Sequence, residues 1–259
     1  MNATLATLQS KSAKGTIWQI GNHRIACGDA RDTELLRRLF NGQKAKAAIC
    51  DVPYGISYTA SKLGFADILV KKDIANDGIT DEREYAKFNE EWLLALIPHL
   101  ATKNAVYVFN SDRMIFALHE GFRRAGVRFA QLIVWVKNQP VIGRMDYLPQ
   151  HELIAYGWYG THKFMRAKDK SVLFYPRPHK SRFHPTQKPV ALVKNLVLNS
   201  TRVGDIVFDG FLGAGTTALA CEETKRICYG VELDSEYCDV LVSRFEDRYG
   251  IKAVNSDCV

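Results

Sequence analysis

Two short stretches of this 259-residue chain carry residues whose types and spacing suit joint chemistry. The first is Asp51-Val52-Pro53-Tyr54, directly after the apolar run AAIC at 47–50. Pro53 cannot continue a central ladder, so the strand ends there and the tetrapeptide falls at the carboxyl edge of a sheet. A carboxylate, a rigid proline and an aromatic ring at that edge suit methylation of an exocyclic amino group. The nitrogen lone pair of adenine or cytosine is delocalised into the ring and is a poor nucleophile. If a carboxylate and a backbone carbonyl accept both N–H bonds, the nitrogen is drawn toward tetrahedral geometry and its lone pair is freed. Tyr54 would stack on a base flipped out of its duplex. A sulfonium methyl donor is neutralised as the methyl leaves, so the step needs no metal.

The second stretch is VFDGFLGAGTTALAC at 207–221. Asp209 ends a strand, Gly213 and Gly215 allow a tight turn beside a ligand, and Thr216-Thr217 open a helix. The next strand ends at Glu232, whose carboxylate can accept from both hydroxyls of a ribose. Together these describe a nucleoside-type cofactor site in the crevice at the carboxyl ends of the strands. The third glycine of the dinucleotide fingerprint is missing, and there is no Gly-Lys-Ser/Thr phosphate loop. Taken alone, the loop also reads as an ordinary glycine turn and Glu232 as a solvated strand-end carboxylate.

The elements that must position these residues alternate between strand and helix. Gly21-Asn22 turns a hairpin-like start. A helix is expected at about Thr33 to Asn41, another from Thr80-Asp81 through the stripe Tyr85, Phe88, Trp92, Leu96 and Leu100, then others at 111–125, 189–199, 215–225 and 235–249. Strands are expected at 47–50, 105–110, 129–137, 151–159, 205–211 and 226–233. The apolar runs at 105–110 and 129–137 read as parallel strands covered on both faces. The prediction is an α/β fold with a doubly wound, mostly parallel sheet, in one domain over 1–259. Residues 55–80 read as an active-site loop, and about 138–183 as a basic, loop-rich insertion.

Composition is ordinary for a globular protein, with 47% hydrophobic and 24% charged residues, which argues against a disordered chain. A net charge of +7 favours polyanionic partners. Between Val141 and Phe183 eight basic residues face three acids, so much of that surplus lies beside Tyr147, Trp158, Tyr159, Phe164 and Tyr175. Basic residues among aromatics suit phosphate contacts and base reading, although a solvated basic surface would look the same. Cys27, Cys50, Cys221, Cys228, Cys238 and Cys258 show no Cys-x-x-Cys spacing and read as free thiols in a reducing compartment. The histidines form no metal-ligand set with them, and no metal site is expected. His151-Glu152 opens a strand and reads as structural. The N-terminus lacks an apolar h-region and no later run approaches membrane-spanning length, so a cytoplasmic chain with no membrane partner is expected.

From about Ile17 to Tyr249 the sequence resembles the SAM-dependent DNA amino-methyltransferases, specifically the permuted β group of restriction–modification systems and phages. The resemblance rests on Gly28-Asp29, DVPYG at 51–55, WVKN at 135–138, HE at 151–152, HPTQKP at 184–189, and FDGFLGAGTT followed by YGVELD. Each motif is weak alone; their order and spacing together are specific. The tetrapeptide precedes the glycine loop, the reverse of protein-glutamine and many RNA methyltransferases.

The resemblance implies S-adenosylmethionine as cofactor and double-stranded DNA as partner. Asp51, Val52, Pro53 and Tyr54 would be catalytic, with Asp51 and the Val52 carbonyl gripping the amino group and Tyr54 on the base. Phe211, Gly213 and Gly215 would cradle the methionine part of the cofactor, with Glu232 on the ribose and Asp29 near the adenine. Asp51, Asp209, Thr216 and Thr217 complete that surface, and His184, Thr186 and Lys188 lie in the segment beside the methionine moiety. DNA contacts are expected from Lys137, Arg144, Lys163, Arg166, Lys168, Arg177, Lys180 and Arg182. A homodimer and a companion restriction endonuclease stand open. Asp51 favours adenine N6 over cytosine N4, since Ser is common there in the β-group cytosine enzymes. Val52 and Gly210 stand where the family usually has Pro, which leaves a catalytically weakened SAM- and DNA-binding protein as an alternative, beside methylation of RNA or protein.

Overall fold

The computed structural model describes residues 11–54, 79–142, 146–166, 168–177 and 187–256. The expected loop at 55–80 therefore lies almost wholly outside the described residues, as do Arg144, Lys180, Arg182, His184, Thr186 and Cys258. Ten strands form one sheet: β1 (Ile17–Ile20), β2 (His23–Cys27), β3 (Ala45–Asp51), β4 (Leu100–Asn110), β5 (Val127–Val136), β6 (His151–Tyr159), β7 (Val172–Phe174), β8 (Ile206–Asp209), β9 (Ile227–Glu232) and β10 (Ala253–Asn255). Their order across the sheet is β10-β1-β2-β9-β8-β3-β4-β6-β5-β7. The five central strands β2, β9, β8, β3 and β4 run parallel. Through the remaining pairings only β1 and β6 run against the rest.

Among the described residues six helices cover the two faces. On one face lie α1 (Thr33–Phe40), α2 (Glu82–Leu96) and α3 (Ile115–Arg124), packed through Leu36, Phe40, Trp92, Leu93, Leu118 and Phe122. On the other lie α4 (Val190–Ser200), α5 (Thr216–Glu223) and α6 (Ser235–Tyr249), packed through Leu192, Leu196, Leu219, Leu241 and Phe245. The chain is thus a doubly wound α/β sandwich. Local chemistry sets several helix starts: Asp32, Asp81 and Asp234 each accept hydrogen bonds from two N–H groups of the first turn. Asn41 and Gly250 end α1 and α6 in the left-handed region.

Most elements fall where their periodicity places them, with two differences. The short strands β7 and β10 carry too few residues to show an alternation. The second difference is a correction to β5, which is not covered on both faces: Arg128, Ala130, Gln131 and Leu132 are exposed. It lies near the sheet margin, between the reversed β6 and the three-residue β7. The expectation holds for β4, where residues 104–110 are all buried. The five described cysteines are free and buried. No helix among the described residues is long and apolar enough to cross a membrane.

Candidate active site

Because the central strands are parallel, their carboxyl ends gather at one edge and bring together residues distant in sequence. β3 delivers Asp51, β8 Asp209, β9 Glu232, β4 Asn110, and the turn after β2 Asp29. Reversed β6 contributes its first residues to the same edge, since Glu152 pairs with Trp135 near the end of β5.

The glycine loop sits between β8 and α5. Gly213 and Gly215 have φ of 49° and 80°, a region that favours glycine. The Gly213 N–H donates to Glu232 Oε2 at 2.7 Å and the Asp234 N–H to Oε1 at 2.9 Å, so the strand-end carboxylate fixes the loop. Burial holds the Glu232 carboxyl above its ordinary value against those N–H groups. Asp209 accepts from the Phe211 N–H at 3.0 Å and from Thr217. Burial nevertheless pushes its carboxyl up to about 7. Phe211 packs edge-on against Trp92. Gly210 donates its N–H to Cys50 Sγ at 3.5 Å, and a Cβ there would lie 3.1 Å from Ala30 Cβ. A proline at 210 would lose that contact and crowd that wall, which accounts locally for this departure. Asp29 is bound by Arg31 through both carboxylate oxygens, Nη2 at 2.7 Å and Nε at 3.1 Å; despite burial, this holds its carboxyl below the ordinary range.

The tetrapeptide is pinned from three sides. Lys188 Nζ donates to Asp51 Oδ2 at 2.6 Å and reaches Glu152 Oε2 at 3.3 Å. The Tyr54 hydroxyl donates to Glu152 Oε2 at 2.7 Å. Lys137 Nζ lies 2.9 Å from Glu152 Oε1. From below, the Tyr85 hydroxyl donates to the Pro53 carbonyl at 2.8 Å while accepting from Asn110 Nδ2 at 2.7 Å. Two lysines and two carboxylates therefore balance in a largely enclosed cluster, with Lys188 and Lys137 side chains each 6% exposed. Burial raises the Asp51 carboxyl against the pull of Lys188, whereas the two lysines outweigh burial at Glu152 and hold it low. Val52 is buried behind the loop.

A family model described as DNA methylase matches residues 45–243, more than three-quarters of this chain. The chain belongs to the DNA methylase family. Type II methyltransferase M.HpaI of Haemophilus parainfluenzae is 26% identical over 201 residues, 66% of this chain and 64% of that enzyme. This match therefore spans just under two thirds of the Haemophilus enzyme's length. M2.DpnII of Streptococcus pneumoniae is 24% identical over 189 residues, 66% of this chain and 70% of its own. Among solved structures, the M1.HpyAVI–SAM complex superposes with a TM-score of 0.62 at 25% identity, covering 85% of this chain and 98% of that one. The cytosine-N4-specific PvuII DNA methyltransferase, at 15% identity and a TM-score of 0.68, shares the fold.

The structure brings Asp51, Pro53, Tyr54 and Lys188 into one cluster, with Asp209, Phe211, Gly213, Gly215, Thr216, Thr217, Glu232 and Asp29 along the same edge. The basic residues separate. Lys137 is buried against Glu152, and Arg177, whose N–H donates to Asn138 Oδ1, stands exposed near the site. Lys163, Arg166 and Lys168 follow the far end of β6, where Thr161 bridges to Lys103 at the start of β4. That end is roughly 23 Å from Glu152, at about 3.3 Å per residue. The loop between β5 and β6 carries exposed Ile142 and Tyr147 on the site's side of the sheet. Sequence reasoning missed Glu152, Tyr85 and Asn110. The available signal was Glu152 in its two-residue motif, read as structural because it opens a strand.

Proposed function

We propose that this chain transfers a methyl group from S-adenosylmethionine to an exocyclic amino group of a flipped base in double-stranded DNA, at adenine N6. The observation that carries this reading is Asp51: a carboxylate at the end of β3, held through one oxygen by Lys188, on the strand hydrogen-bonded to β8 and its glycine loop. The Asp51 carboxylate also interacts with the Tyr54 hydroxyl, a contact that an entering amino group would replace, and the Val52 carbonyl would supply the second acceptor. Tyr54 offers its ring to the base. Because burial raises the Asp51 carboxyl, it also accepts a proton more readily than an exposed aspartate does.

The residues present fit the donor. A carboxylate has about four lone-pair sites, so Glu232, accepting from the N–H groups of Gly213, Leu233 and Asp234, keeps capacity for a ribose hydroxyl. The left-handed glycines bring backbone close to the crevice without side chains. S-adenosylmethionine supplies an electrophilic methyl carbon on a sulfonium; the chain orients the nitrogen toward it and excludes water. Adenine is favoured because Asp, and not Ser, opens the tetrapeptide. The type II names of both relatives support a companion restriction endonuclease, and exposed Val172 and Phe174 on edge strand β7 support a homodimer.

The test is incubation with methyl-labelled S-adenosylmethionine and duplex DNA, or RNA in parallel, followed by digestion to nucleosides and chromatography. Label in N6-methyladenine is the expected result. Label in N4-methylcytosine would replace the base assignment, and label absent from DNA would overturn the reading.

A further inference from the structure

The charged cluster behind the tetrapeptide holds a residue with no part in the chemistry above. Glu152 is the point where three side chains converge. Its Oε2 accepts from the Tyr54 hydroxyl at 2.7 Å and lies 3.3 Å from Lys188 Nζ, and its Oε1 lies 2.9 Å from Lys137 Nζ. Lys188 in turn holds Asp51 at 2.6 Å. The ring that would stack on the base and the carboxylate that would take its amino group are thereby tied to one anchor, and that anchor is held in the sheet by its pairing with Trp135 of β5, next to Leu153, which pairs with Asn110 of β4. We propose that Glu152 is a positioning residue that locks Tyr54 and Asp51 into a single rigid unit, with Lys137 as the counter-charge that lets it remain ionised out of water. This inference rests on the methyl-transfer reading.

Burial argues for more than packing. Glu152 and both lysines are largely removed from water, and a buried carboxylate without partners is strongly unfavourable. Side chains of equal volume without charge would fill the space at less desolvation cost, yet could not hold a hydroxyl and an ammonium at one point. The groups facing Asp51 are Lys188 from the segment before α4, Glu152 from β6, Asp209 from β8 and the Tyr54 hydroxyl of its own loop, with Lys137 reaching it through Glu152. Removing the Glu152 charge leaves Lys188 to Asp51 alone and should make Asp51 ionise at lower pH.

The test compares wild type with Glu152→Gln, Tyr54→Phe and the double variant. It measures SAM affinity by calorimetry and kcat, KM for DNA and the pH profile of kcat by labelled methyl transfer. For Glu152→Gln the expected result is a kcat lowered by about tenfold or more, SAM affinity within about threefold of wild type, and an acid limb moved to lower pH. Tyr54→Phe, which deletes one hydroxyl, should lower kcat by about fivefold. The double variant should be slower than Glu152→Gln by less than the fivefold of Tyr54→Phe alone, because both changes break the Tyr54–Glu152 bond while Tyr54→Phe also removes the hydroxyl's contact with Asp51. A merely structural Glu152 would lower the melting temperature, leave the acid limb in place and give multiplicative effects; that outcome overturns the inference, as does a Tyr54→Phe enzyme with wild-type kcat should Glu152→Gln fail to fold. Wild type that methylates DNA beside a Glu152→Gln variant equal to it overturns this inference alone. Wild type that leaves DNA unmethylated removes the functional reading and this inference with it.

Discussion

Lys188 and Asp51 meet at 2.6 Å although 137 positions separate them in the chain. Lys188 is one of two cations in a cluster with two carboxylates, so Lys188→Met leaves Asp51 and Glu152 undercompensated. Loss of one buried partner costs about 3 kcal/mol, to be read from chemical denaturation. The sign of the pH effect follows from the same contact. Burial raises the Asp51 carboxyl and Lys188 opposes it, so without Lys188 the carboxyl rises further. The rate that needs ionised Asp51 is then lost at higher pH as the solution is acidified, and the acid limb of kcat moves up.

Asp51→Ala should abolish methyl transfer while SAM affinity changes by no more than about tenfold, since the glycine loop and Glu232 are fixed by their own hydrogen bonds. Single-turnover transfer and isothermal titration check the two halves. Transfer near the wild-type rate would remove Asp51 from its role.

Gly215→Ala should destabilise the fold and weaken SAM binding together. At φ 80° an alanine is strained, and its Cβ would come within 2.9 Å of Leu241 on α6. Strain and crowding together amount to about 2 kcal/mol, readable as a lower melting temperature.

Asp209 should leave a signature in stability against pH. Its carboxyl is about 7 when folded, above its unfolded value, so the folded state binds the proton more tightly. This contribution is fully present below the unfolded value near 4 and is lost as pH rises through 7. Denaturation curves between pH 4 and 8 should show stability falling with pH, and Asp209→Asn should flatten that slope.

The two groups of basic residues make opposite predictions. Arg177→Ala should weaken DNA binding and lower its salt slope by about one unit if it touches a phosphate. Arg166→Ala, whose guanidinium lies 3.4 Å from Asn195 at the far end of the sheet, should leave the slope unchanged. Equal losses from both would show that DNA also reaches the amino-terminal end.

The legible half of the site follows one rule, that parallel strands deliver their last residues to a common edge. Asp51, Asp209 and Glu232 all precede a turn, and Pro53 and the glycines mark those turns in the sequence itself. Glu152 escapes the rule because β6 runs backwards, bringing a strand's start to the edge where the other strands finish. Strand direction is set by pairing with β4 and β5, which no local window of sequence contains. The charge run at 163–168 was legible as basic, but which end of the sheet it occupies depends on the same reversal. Tyr85 read correctly as core, yet its hydroxyl aim at Pro53 depends on how α2 docks.

The seam between β3 and β8 carries a kinetic consequence. Cys50 and Gly210 touch across it although they stand 160 positions apart. Closing so large a loop costs chain entropy that no nearby contact repays in advance, and parallel pairing of distant strands is slow for that reason. The two halves of the crevice, one from each side of the seam, can meet only after most of the chain has been made. A nascent chain released from the ribosome before β8 would display the tetrapeptide with no glycine loop beside it, so competence to bind cofactor should emerge in the last stages of synthesis, as a step and not a gradual gain.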